Sequence, residues 1–208
     1  MQFTLTKAQI KAMLKFAAVH DVRYYLKGLH IRQNARGTIV ESTNGHLLGA
    51  LRVDATPCKP QSVILGSEHL AAWTKCGKRD ADHPVEFYVS DDQTITASCL
   101  GVSTSFKALD GRFPDCDRII PSPVNLGDAK PSNFQTAYLE AFTDAAKILT
   151  GKDITLNVFP RGESSAIVDI GHDEFLGILM PLRHQPFAKM PEWVSITAEV
   201  KTEETAEA

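Results

Sequence analysis

One succession of patterns recurs three times along the chain, and no other property of the sequence restricts its fold so strongly. It is a short strand, one amphipathic helix, then strands separated by tight turns, with the opening strand indistinct in the third copy. A unit of this kind cannot bury its own apolar helix face, so the copies must pack on one another. The pattern predicts an α+β fold in which sheets cover helices.

In the first copy Gln2 to Leu5 alternate as a strand, and Thr6 with Gln9 three residues on forms a capping box. Ile10, Met13, Leu14 and Ala17 then supply the apolar stripe. Strand-like runs follow at Val22 to Gln33, Gly37 to Glu41 and His46 to Val53, with Asn44-Gly45 as a strong hairpin signal. The second copy opens at Ser62 to Leu65, is capped at Ser67, and buries Leu70, Ala71 and Trp73 or Thr74 before Gly77 ends the helix. Its strands are Val85 to Ser90, Thr94 to Cys99 and Val102 to Ala108.

A Pro-rich connection from Pro121 to Pro131 leads to the third copy, where Ser132 and Gln135 form a second Thr/Ser-x-x-Gln signature and Tyr138, Phe142, Ala145 and Leu149 recur at helical spacing. Ile154 to Phe159, Ser165 to Ile170 and Phe175 to Met180 read as its strands. The expected organisation is a complete two-unit domain over residues 1–121, a half domain over 122–187, and a mobile acidic tail over 188–208.

Composition narrows the function classes. A formal net charge of −3 gives no bulk attraction to nucleic acid, so any DNA contact must come from a local cluster of basic residues. Cys58, Cys76, Cys99 and Cys116 are widely spaced and form no CxxC pair, which leaves no expected metal site or cofactor and suggests free thiols in a reducing compartment. No Gly-rich phosphate loop, nucleophile elbow or HExxH motif is present, and His46 and Asp115 stand isolated, so the chain does not read as an enzyme. No apolar run has the roughly 20 residues that a membrane span needs. The amino terminus lacks a secretory pattern, and the expected location is the cytoplasm.

On the first helix Lys7, Lys11 and Lys15 stand four residues apart and share one face away from the stripe, which by spacing alone is a solvated face. Several ordered stretches carry a further signal: Asp21-Val-Arg-Tyr-Tyr-Leu-Lys-Gly-Leu, Thr43-Asn-Gly-His-Leu-Leu, Asp110-Gly-Arg-Phe-Pro-Asp with Arg118-Ile-Ile-Pro, and Leu179-Met-Pro-Leu-Arg183. Together they resemble the bacterial DNA sliding clamp, the beta subunit of DNA polymerase III. Residues 1–121 resemble that family's middle domain and 122 to about 184 the second half of its last; this sequence carries no counterpart of its first domain.

The resemblance implies a clamp fold, with helices lining a ring and sheets outside. It implies a non-catalytic, nucleoid-associated protein that holds duplex DNA without sequence preference. Family rings resemble a circle of twelve units, so three units per chain imply a head-to-tail homotetramer. By the same resemblance Lys7, Lys11, Lys15, Lys75, Lys78, Arg79 and Lys147 would face the DNA, with Glu140 and Asp144 making the third helix less suited. Arg23, Tyr24 and Tyr25 match a segment that touches DNA, although two tyrosines adjacent on a strand also suit ordinary sheet packing.

A cleft for a short linear motif of replication or repair partners is implied at Leu26, Thr43, Gly45, His46, Leu48, Pro114, Arg118 and Ile119, facing Ser165, Ile178, Met180, Pro181, Leu182 and Arg183. Leu47 stands where the family carries a basic residue and Glu163 where it carries a small apolar one, and His184 to Phe187 extend past the family's usual end. A different reading is a decoy or adaptor that keeps the cleft and never encircles DNA.

Overall fold

The computed structural model describes residues 1–75, 78–121 and 132–182. Cys76 and Gly77, residues 122–131 of the Pro-rich connection, Arg183, His184 to Phe187, the acidic tail and the side chain of Lys78 lie outside the described residues.

The chain runs β1 (Gln2–Thr6), α1 (Lys7–Met13), β2 (Gly28–Asn34), β3 (Gly37–Thr43), β4 (Leu47–Asp54), β5 (Gln61–Gly66), α2 (Ser67–Leu70), β6 (Pro84–Val89), β7 (Thr94–Cys99), β8 (Val102–Lys107), α3 (Thr136–Thr150), β9 (Asn157–Arg161), β10 (Ser164–Asp169) and β11 (Phe175–Leu179). Short 3-10 segments follow α1 at Leu14–Phe16 and α2 at Ala71–Thr74. The strands form two antiparallel sheets: β1-β6-β7-β8, and a seven-stranded sheet in the order β5-β2-β3-β4-β11-β10-β9. The first two units exchange their opening strands, β1 onto β6 and β5 onto β2.

Five register pairs, from Phe175↔Leu51 to Leu179↔Leu47, fuse the third unit to the first. Above this seam Phe16, which follows α1, and Phe142 of α3 meet edge-on with ring centroids 5.0 Å apart. Each ring covers a glycine, Phe16 over Gly49 and Phe142 over Gly177, where a Cβ would fall within 2.7 Å and 2.5 Å of the ring. One apolar core joins these residues to the inner faces of both sheets, including Leu5, Ile10, Leu51, Leu70, Phe87, Ile95 and Leu179. The third copy therefore buries its helix against the first, as its half-size core requires.

The Thr6 capping box forms as the spacing predicts, with Gln9 N donating to Thr6 Oγ1 at 3.1 Å and Thr6 N to Gln9 Oε1 at 2.8 Å. Three local expectations are corrected. Val22 to Gln33 is not one strand. Asp21 Oδ1 accepts from Arg23 N at 2.8 Å and Tyr24–Leu26 turn as a 3-10 segment, so the strand begins at Gly28. Ser67 does not cap α2: it is itself the first helical residue, and the cap position falls on Gly66, which has no side chain to accept a bond. Ser132 does not cap α3. Its hydroxyl donates to Gly162 O, and Leu182 N bonds to Asn133 O, which holds the chain extended until Gln135. Of the stripe residues predicted for the second helix, Leu70 and Trp73 are buried and Ala71 is exposed.

Candidate peptide cleft and lysine-bearing helix

Successive residues of β4 face opposite sides of the sheet. Leu47 and Leu51 join the core under the helices, while Leu48 joins a second apolar cluster on the far side with Leu26, Phe113, Cys116 and Ile178. That far side carries a cleft of about 220 Å³. Its floor is β4 and β11, and its rim is the β3–β4 turn. There Asn44 Oδ1 accepts from His46 N and Leu47 N, and Thr43 Oγ1 accepts from Gly45 N while donating to Leu47 O. Gly45 has φ +92, the left-handed conformation that makes an Asn-Gly turn tight.

Nine of the fourteen residues implied for the cleft line it: Leu26, Thr43, Gly45, His46, Leu48, Pro114, Ile119, Ile178 and Met180. Arg118 stands beside it, exposed, with Nε donating to Asp115 Oδ2 at 3.0 Å. Ser165 is a brace, its hydroxyl donating to Ile119 O at 3.0 Å. Pro181 and Leu182 continue from the end of β11, half-buried and exposed, and Arg183 is outside the described residues. Arg23, Leu47, Asp115 and Cys116 also line the cleft, to which the resemblance does not assign them. The resemblance groups Arg23 with the DNA-facing residues, yet its guanidinium forks onto Asp21 and lies over Gly45, where a Cβ would be 3.0 Å from Nη2. That fork, with the Arg23 backbone N–H, holds the Asp21 carboxyl down to about 2.

The wall at Phe113–Asp117 is fastened from behind. Glu41, buried on β3, accepts from Arg32 Nη2 at 2.7 Å and faces His30 Nδ1 at 2.8 Å. Arg32 Nη1 reaches Asp117 at 2.7 Å and holds that carboxyl below its ordinary range. The His30 ring stacks on Phe113 with centroids 4.6 Å apart. Removing Arg32 strands Glu41 in the sheet. Arg32→Ala should cost about 2 kcal/mol in urea unfolding, less than the roughly 3–5 typical of a fully buried pair because the Arg32 side chain is 25% exposed. It should also loosen the cleft wall. Burial, then the Glu41 charge, pushes the Cys116 thiol up to about 12. At pH 8 iodoacetamide should label Cys58 well before Cys116, as followed by mass spectrometry.

On the helix side Lys7 and Lys11 are half-buried and make no salt bridge among the described residues, whereas Lys15 pairs with Asp144 at 2.6 Å and Lys147 with Asp153 at 2.8 Å. Lys75 and Arg79 are exposed beyond the second helical segment, and Lys78 starts a 3-10 turn. Tyr24 and Tyr25 sit on the 3-10 turn before β2, with ring centroids 5.8 Å apart. Tyr24 is half exposed, while Tyr25 packs against Gly111. Among the described residues no helix is long and apolar enough to cross a membrane.

Repeated strand–helix–strand units whose sheets close over a shared helix layer define a DNA clamp fold. Solved clamps share it. The DNA polymerase III subunit beta of Pseudomonas aeruginosa superposes with a TM-score of 0.68 at 18% identity, covering 88% of this chain and 67% of that one. The beta subunit of Thermotoga maritima gives 0.65 at 14% identity over 89% and 66%. The family model for the DNA polymerase III beta subunit, central domain, matches residues 4–115, more than half of the chain, and the protein belongs to that family. The beta sliding clamp of Escherichia coli (strain K12) is 28% identical over 126 residues, 58% of this chain and 34% of that protein; the one from Proteus mirabilis is 27% identical over the same span. The chain thus spans about a third of the length of these curated relatives.

Proposed function

We propose that this chain is a non-catalytic subunit of a ring that encircles duplex DNA without reading its sequence and tethers replication or repair proteins by their linear motifs. Residues 1–121 act as one clamp domain, 122–187 as half of another, and four chains supply the twelve units of a closed ring. Such a protein works in the cytoplasm, on the chromosome or a smaller replicon.

The observation that carries the reading is the division of labour across one sheet. The lysine-bearing helix α1, with α3 beside it, covers one face of β4 and β11, and the apolar cleft opens on the other. DNA and a partner peptide would then be held at once without competing. Lys7 and Lys11, free of salt bridges among the described residues, serve as phosphate contacts, with Lys75 and Arg79 adding to them. Lys15 and Lys147 contribute less because Asp144 and Asp153 already neutralise them.

The test is retention on a closed circular duplex. Lys7→Glu with Lys11→Glu should shorten retention, and the slope of log affinity against log salt should fall by about 0.9 for each phosphate that is no longer neutralised. A variant that keeps wild-type retention and salt response removes the ring reading and leaves the motif-binding decoy in its place.

A further inference from the structure

The seam between β4 and β11 joins the last strand of the first unit to the last strand of the third. Counted from the hairpin turn, the residues facing the helices are Leu47, Gly49 and Leu51 on β4, and Phe175, Gly177 and Leu179 on β11. The register sets the first of one strand against the third of the other and glycine against glycine at the centre. Phe16 and Phe142 repeat the relation above it, each ring over its own unit's glycine. The seam is therefore close to self-complementary, the form that a two-fold joint requires.

β8 is the last strand of the second unit, and Val102, Thr104 and Phe106 hold the same places, opposite Cys99, Ala97 and Ile95. Its outer edge is unpaired among the described residues, and Val102 is 62% exposed. No proline interrupts it and its one charge is Lys107 at the end, so it lacks the usual protections of an edge strand. Of the other strands that end a sheet, β9 carries Pro160, and β1 and β5 open their units and so are not last strands. The remaining last strands, β4 and β11, are paired on both sides. The last strand left to match β8 is β8 of another copy.

We propose that β8 pairs antiparallel with β8 of a second copy about a two-fold axis at Thr104, with Ser103 opposite Ser105 and Val102 opposite Phe106. The consequence for assembly rests on the ring reading above: chains would join back to back at this edge, in place of the head-to-tail contact that the family resemblance implies.

Directly opposed residues in an antiparallel pair have Cβ atoms about 4.5–5.5 Å apart, close to the roughly 3.5–4.5 Å of a disulfide. In a full-length chain carrying Cys58→Ser and Cys76→Ser, Thr104→Cys should oxidise so that most of the protein migrates as a covalent dimer. Ser103→Cys alone should stay unlinked, while a mixture of Ser103→Cys and Ser105→Cys proteins should link. Native mass spectrometry of the unoxidised proteins separates the two ideas. Four chains without a Thr104→Cys link overturn the two-fold joint and leave the ring. Two chains with the link support the joint and remove the four-chain ring. A monomer at micromolar concentration removes both.

Discussion

Met180→Asp should weaken binding of an apolar clamp-binding peptide by about a hundredfold in calorimetry, with the fold and assembly unchanged. Met180 closes the cleft at the end of β11 and is 37% exposed, so its side chain is available to a peptide and contributes little to the core. A polarizable, unbranched side chain adapts to a partner's Leu or Phe, and covering its exposed third contributes about a third of the roughly 1.5–3 kcal/mol of full burial. A carboxylate there removes that gain and must shed its water when an apolar motif covers it, a cost of several kcal/mol where the charge is fully buried. Since about 1.4 kcal/mol is tenfold, the two effects together reach the stated loss. The Met180 backbone N–H still donates to His46 O, so the turn keeps its place. Unchanged affinity would place peptide recognition elsewhere on the molecule.

The second large effect concerns the seam. Phe142→Ala should destabilise the protein by about 3–5 kcal/mol in urea unfolding, the range for a buried Phe removed from a packed core. Phe142 is fully buried, fills the space over Gly177 and meets the Phe16 ring. Its loss opens a hole under both α1 and α3. Gly177 cannot grow a side chain in compensation, because a Cβ there would also fall 2.6 Å from the Val168 carbonyl oxygen. A cost below about 1 kcal/mol would mean that the third unit is not integral to the core.

How much of this is legible in the sequence depends on how local the cause is. The Thr6–Gln9 capping box and the Asn44-Gly45 turn are set by neighbours within three residues, and both form as the pattern implies. Ser132 carries the same local signature and does something else, because a carbonyl thirty residues away and the bridge from Leu182 to Asn133 outcompete it. Val22 to Leu26 reads as strand by composition, yet one Asp21 side chain turns it.

The cleft is recognisable through matched motifs, and three of the four lining residues that the resemblance does not assign to it have causes lying across the fold. Cys116 and Asp115 reach it because Arg32 and Glu41, more than seventy residues earlier, fasten their segment. Arg23 reaches it because Gly45 leaves room for a guanidinium. The fusion of β4 to β11 joins strands over a hundred residues apart and has no signature in either one.

That fusion also limits how the cleft can work. Its floor is a hydrogen-bonded ladder whose strands belong to both ends of the polypeptide, so the opposing walls cannot swing apart without tearing the sheet. The site should behave as a mould of fixed shape: an incoming motif must do the adapting, and ligands stiffened beforehand into the right form should gain affinity mainly through slower departure.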